Sequence, residues 1–137
     1  MKRSFALFLV LILSCLLFVS CTEKDEQQVT VDTEPKVENF VLQESEYLLK
    51  MMEKFPSDEN VGQVSTADEA IRKATEVFAA HYGEQVKAQT PYRISLDEAE
   101  DIWHIQGTLP DENTDGGVAE ILIERSTGRV LALWHTK

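Results

Sequence analysis

The residues that could do chemistry are few, and the densest group of them is Leu109-Pro110-Asp111-Glu112-Asn113-Thr114-Asp115-Gly116-Gly117. Oxygen ligands at alternate positions before a turn-making glycine, here Asp111, Asn113, Asp115 and Gly116, are what the first half of a calcium loop needs. The last ligand position, however, holds Leu122 in place of a bidentate Glu, and the flanks read as strands rather than helices. Turn formers and acids between two strands are also what solvation alone selects. The solvated turn is the preferred reading, calcium on Asp111, Asn113 and Asp115 is the alternative, and no metal is expected.

The other reactive groups are scattered. His81, His104 and His135 include no pair at the i, i+4 spacing of a helical metal site. Closure of the fold brings His104 and His135 together only if their strands are neighbours, and strand-face imidazoles are more simply polar surface. Ser126 lies in a turn with no nucleophile elbow around it, and no glycine loop suited to cradling phosphate is present. Carboxylates are so numerous that any acid–base pair chosen from them is arbitrary. No catalytic residue and no cofactor emerge, and the expectation is a protein that is not an enzyme.

The two cysteines carry a different chemistry. Lys2 and Arg3 precede an apolar run over 5–19 broken only by Ser14, too short to cross a bilayer core of roughly 30 Å comfortably. It reads as the h-region of a signal peptide. The junction Phe18-Val19-Ser20-Cys21, followed by the charged Thr22-Glu23-Lys24-Asp25-Glu26, resembles the bacterial lipobox. That resemblance implies cleavage before Cys21 and a diacylglyceryl thioether on its sulfur. Cys15 also follows a small residue, but cleavage there would halve the h-region and leave 16–19 on the mature chain. With Cys15 removed and Cys21 acylated, no thiol is left for a disulfide, a metal or a nucleophile. Several acyl chains supply firm anchoring. The expected location is therefore the bacterial cell envelope, lipid-anchored and facing outside the cytoplasm.

The elements that must position everything else share 137 residues, enough for one domain. Hydrophobic residues make up 43% and charged residues 27%, globular values that exclude wholesale disorder. The 24 Asp plus Glu against 13 Lys plus Arg give a net charge of −11. Removing 1–20 takes away Lys2 and Arg3 and no acid, leaving 24 against 11, or −13. Such a chain offers nothing to replace the counterions of a nucleic acid, nor does charge attach it to anionic lipid.

Residues 21–40 are polar, acidic and interrupted by Pro35, which reads as a flexible tether. Over 43–55, Tyr47, Leu48, Met51, Met52 and Phe55 recur at helical spacing, and Pro56 ends the segment. Thr66-Ala67-Asp68-Glu69 is a capping box. It opens a helix with one stripe of Ala70, Ile71, Ala74, Val77, Phe78, His81 and Tyr82, which Gly83 closes. After Pro91 the period falls to two. Tyr92, Ile94 and Leu96 alternate with polar residues, as do Trp103 and Ile105, then Ala119, Ile121 and Ile123. In the last strand Val130, Ala132 and Trp134 share one face and Leu131 and Leu133 the other. Ser126-Thr127-Gly128-Arg129 makes a tight hairpin. Helices first and strands after predict an α+β domain over 41–137, two N-terminal helices on one face of a four-stranded antiparallel sheet.

The succession Pro91-Tyr92, Trp103-His104-Ile105-Gln106-Gly107-Thr108-Leu109-Pro110, Gly116-Gly117-Val118-Ala119-Glu120-Ile121 and Thr127-Gly128-Arg129-Val130-Leu131 resembles the bacterial immunity-protein family with a nuclear-transport-factor-2-like (cystatin-like) fold. The likeness is strongest over 66–137. It implies a partner, a polymorphic toxin that the protein binds and neutralises, and it brings no catalytic residues. The helix-then-sheet order is also similar to PepSY-type exported domains, which implies an alternative role in protease regulation.

On this reading the open sheet face of His104, Gln106, Glu120, Leu122, Glu124, Leu131, Leu133 and His135 is the expected contact surface for a protein partner, a basic toxin by charge. The bilayer is reached through Cys21, and nucleic acid is not a partner. A small-ligand pocket lined by Tyr92, Trp103 and Trp134 is the competing expectation.

Overall fold

A computed structural model describes residues 34–111 and 114–137. Residues 1–20, read from sequence as a signal peptide, Cys21 and Asn113 lie outside the described residues.

The second predicted helix forms as its caps dictate. In α2 (Ala67–Tyr82) the Thr66 hydroxyl accepts from the Glu69 amide at 3.2 Å. The Glu69 carboxylate reaches back to accept from the Ser65 amide at 2.8 Å, so two N–H groups that the helix cannot satisfy find partners. Gly83, at φ 89°, ends the helix and donates its N–H to the Ala79 carbonyl. The first helix, α1 (Glu46–Lys54), is shorter than the apolar spacing predicts. Ser45 caps it by accepting from the Leu48 amide, and a single 3-10 turn, Leu42–Glu44, precedes it. Among the described residues no helix is long and apolar enough to cross a membrane.

The sheet has five strands rather than four and is mixed rather than purely antiparallel. β1 (Val37–Asn39), β2 (Arg93–Asp97), β3 (Ile102–Gln106), β4 (Ala119–Glu124) and β5 (Val130–His135) lie side by side in chain order. β1 pairs parallel to β2, and the other neighbours are antiparallel. The extra strand falls in the stretch read as tether. Three exposed residues, Val-Glu-Asn, are too few for a period-two pattern to register.

The helices do not share a face. α2 covers one side of the sheet, where Ala74, Val77 and Phe78 meet Ile94, Trp103, Ile105, Ile121 and Ile123. α1 covers the other, where Leu48 and the preceding Leu42 meet Ile102, Leu122, Ala132 and Trp134. The product is three layers, helix on sheet on helix. This explains why five consecutive residues of β4, 119–123, are buried: an interior strand with both faces covered has no solvent side.

β5 carries a bulge. Leu122 pairs with Ala132 but Ile123 pairs with Val130, which leaves Leu131 as the extra residue. The slip moves Val130 to the α2 side with Leu133, while Leu131, Ala132 and Trp134 stay on the α1 side. The face assignment expected for an unbroken strand is thereby corrected. The outer edge of β5 is closed by residues 55–61, with Leu133 N–H to Phe55 O, Val130 N–H to Glu59 O and Val61 N–H to Gly128 O at 3.2, 2.9 and 2.9 Å. An edge strand covered in this way cannot recruit another chain.

Candidate functional site

The polar centre of the molecule lies under α1. Glu120, on interior β4, faces Trp134 of β5 and Gln106 of β3, with His104 one step away on the diagonal. α1 lowers Tyr47 onto this group. The Tyr47 hydroxyl donates to Glu120 Oε1 at 3.0 Å and accepts from the Trp134 indole N–H at 3.0 Å. Glu120 Oε2 stands 3.0 Å from His104 Nε2. The His104 ring stacks on Trp134, 6.2 Å between centroids at 15°. The Phe40 ring meets His104 edge-on at 5.9 Å.

Glu120 is only 1% exposed, yet both its oxygens have partners. A buried carboxylate is tolerable on those terms and costly on any others. Burial raises the Tyr47 pKa above that of an ordinary phenol; the indole N–H it accepts pulls the other way, and the adjacent carboxylate reinforces the rise. Tyr47 therefore stays protonated and acts as the donor to Glu120. Trp134, Tyr47, Glu120 and His104 form one hydrogen-bonded chain that ties α1 to the sheet.

A second buried carboxylate closes the neighbouring corner. Asp97, 1% exposed, accepts from the Leu42 amide at 2.7 Å and from the Ala99 and Glu100 amides at 3.0 and 3.1 Å. The Leu42 hydrogen bond is the chief cause holding its pKa below the usual carboxylate value, against the opposing effect of burial.

The structure disperses the expected contact surface. His104, Glu120, Leu122 and Leu131 face α1, with Glu120 and Leu122 fully buried beneath it. Leu133 packs on the α2 side, and the His135 ring lies 5.4 Å from that of Tyr82. Glu124 accepts from the Thr127 hydroxyl inside the β4–β5 hairpin. Gln106 lines a cleft of about 410 Å³ with Arg93, Thr108, Asp111 and Val118. The eight residues make no single open face, because α1 occupies the face they were expected to leave free. His104 and His135 also stay apart, with β4 between their strands.

The expected ligand pocket is likewise undone. Trp103 packs on the α2 side and donates its indole N–H to the Val64 carbonyl at 3.0 Å; Trp134 packs on the α1 side. The sheet separates them. Tyr92 leans on Phe78 and donates its hydroxyl to the Val86 carbonyl at 3.1 Å. For the acidic loop, no group of three or more His, Cys, Asp or Glu able to hold a metal occurs among the described residues.

Sequence reading named His104 and Glu120 for a contact face and Trp134 for a pocket, not for this cluster, and passed over Tyr47 and Phe40, the two groups that complete it. Tyr47 looks like one more apolar position of an amphipathic helix. Only a signal linking it to a strand 73 residues later would have exposed its role.

Residues 69–137 match the family described as NTF2 fold immunity protein. No curated protein and no solved structure matches the chain. The matched segment comprises α2 from Glu69 onward and strands β2 to β5, which carry His104, Glu120 and Trp134. It supplies half of the chain and four of the five strands, and on that ground this chain belongs to the NTF2 fold immunity protein family.

Proposed function

We propose that this protein binds and neutralises a protein toxin acting in the cell envelope, where acylated Cys21 tethers it to the membrane. The observation that carries the reading is the immunity-family match over 69–137. The role is one of occlusion and needs no turnover. The lipobox-like Val19-Ser20-Cys21 junction supports the tether and the location outside the cytoplasm.

A basic toxin suits the charge: beyond residue 20 the chain carries 24 acids against 11 bases. Complementary fields steer encounter and penalise wrong partners. Because α1 closes one sheet face and α2 the other, recognition falls on the helices, loops and strand edge that remain outside.

The direct test is protection. Candidate toxin domains from the genes adjoining this one are expressed with an export signal, each alone and together with the full chain. Restored growth with the chain present supports the reading. Equal killing in both strains, with the chain shown to accumulate, overturns it.

A further inference from the structure

The two edges of the sheet are not treated alike. The outer edge of β5 is hydrogen-bonded from Val130 to Leu133 to residues 55–61. β1, at the opposite edge, has no such cover among the described residues. Phe40 N–H donates to Leu96 O at 3.3 Å, so Phe40 and, two residues earlier, Glu38 turn their N–H groups toward β2. Val37 and Asn39 turn theirs outward. All three β1 residues are exposed, Val37 by 38%, and Val41 just beyond by 49%. An uncovered edge with exposed β-branched residues is a template for an added strand.

Charge says which strand. Glu34, Glu38 and Glu44 lie exposed along and beyond β1, and Glu98 and Glu100 lie exposed in the turn after β2, against which Leu42 is fastened through Asp97. Lys36 is the one base on this stretch. A second copy would bring the same acids face to face, and like charges across a strand pair repel. The upstream segment of this chain, with Glu23, Asp25, Glu26 and Asp32, would do the same.

We propose that the outer edge of β1 takes up an extended basic segment of the toxin as a sixth strand. The outward backbone groups of Val37 and Asn39 supply the pairing, and the surrounding glutamates supply the preference for Lys and Arg. This assignment rests on the toxin-binding reading and names the surface and the partner chemistry for it.

The probe is a synthetic peptide, Lys-Val-Lys-Val-Lys-Val-Lys, added to the isotope-labelled full chain in detergent micelles. The expected result is about tenfold slower amide exchange at Val37 and Asn39, with no effect of the Glu-for-Lys version of the peptide. Asn39→Pro removes an outward donor and spares the bonds to β2, so it abolishes the protection. Glu38→Lys with Glu98→Lys changes no backbone group and weakens peptide binding. Protection elsewhere, equal binding of the acidic peptide, or β1-to-β1 dimers instead of peptide uptake overturns the assignment.

The growth assay separates this proposal from the reading beneath it. Rescue by the wild type but not by Asn39→Pro supports both. Equal rescue by the two chains overturns the β1 assignment and leaves neutralisation standing. No rescue by the wild type overturns neutralisation, and the edge assignment with it.

Discussion

Tyr47 and Glu120, 73 positions apart in the chain, meet in a hydrogen bond of 3.0 Å that fastens a short helix to β4, an interior strand of the sheet. α1 has nine residues, too few to hold helical structure by itself in water. Its position therefore depends on burying Leu48 and on the polar chain that Tyr47 closes. Tyr47→Phe leaves the Trp134 indole N–H and one Glu120 oxygen without partners, and should destabilise the fold by about 1–2 kcal/mol. Glu120→Ala strands both Tyr47 and His104 and should cost about 2–4 kcal/mol. Because the two residues share one interaction, the double variant should lose less than the sum of the singles. Urea denaturation of the four proteins measures this, and strict additivity would sink the coupling.

Asp97 gives an acid dependence of known sign. Its folded pKa is held below the ordinary value. Its contribution is thus fully present above the unfolded pKa of about 3.9 and disappears as pH falls toward the folded value. Asp97→Asn should lower stability by about 1–3 kcal/mol at neutral pH. It should also flatten the loss of stability between about pH 5 and pH 2. Denaturant midpoints across that range decide the matter; parallel curves for the two proteins contradict the assignment.

Much of this fold was legible in the sequence because local signals agreed with the tertiary outcome. The Thr66 cap, the Gly83 stop and the alternation of Trp103 and Ile105 each announce an element that is present. What stayed hidden was decided at long range. An amphipathic stripe shows that α1 has an apolar side and is silent on which sheet face receives it. Glu120 reads as solvent-facing by residue type, and burial becomes possible only once Tyr47 and His104 arrive from elsewhere. The bulge at Leu131 reverses the facing of part of β5 without any Gly or Pro to mark it. β1 is too short to carry a pattern of its own. Family likeness reached the fold of 69–137 and carried nothing about α1 and β1, which lie upstream of it.

Gly116 and Gly117 are neighbours with different reasons to be glycine. A Cβ on Gly117 would sit 1.4 Å from the Thr136 carbonyl oxygen, whereas one on Gly116 meets nothing within 4 Å. Gly117→Ala must push the C-terminal segment away from Val118, breaking the Thr136 N–H to Val118 O bond of 3.0 Å. The expected cost is about 3 kcal/mol or more. A Cβ on Gly116 meets no atom but must adopt φ 147°, a backbone conformation that L residues rarely take, at a cost of about 1–3 kcal/mol. Thermal melts of the two variants should differ clearly, and equal melting temperatures would show that the segment yields without resistance.

Toxin association should respond to salt mainly through its on-rate. With 24 acids against 11 bases beyond residue 20, long-range attraction steers a basic partner. Raising salt from about 0.05 to 0.5 M shortens the Debye length severalfold. The association rate is expected to drop by about tenfold or more while the dissociation rate changes little. Stopped-flow or surface-based kinetics at several salt concentrations test this. An on-rate indifferent to salt would mean that the acidity serves solubility alone.

The proposed tether makes a separable prediction, because it concerns where the protein acts and not how it binds. Thioether acylation needs the Cys21 sulfur, so Cys21→Ser should abolish palmitate incorporation and move the protein from the membrane to the soluble envelope fraction. Purified Cys21→Ser protein should still bind the toxin with unchanged affinity, since the proposed contact surface is built on β1 (Val37–Asn39) and not on Cys21. Protection in cells should weaken, because a diffusing inhibitor no longer shares the surface where an envelope-acting toxin works, and the gain in effective concentration is lost. Palmitate labelling, fractionation and the growth assay on one pair of strains read all three effects. An unlabelled wild-type protein found in the cytosol would refute the anchor and the location together, while leaving the neutralising reading to be judged on binding alone.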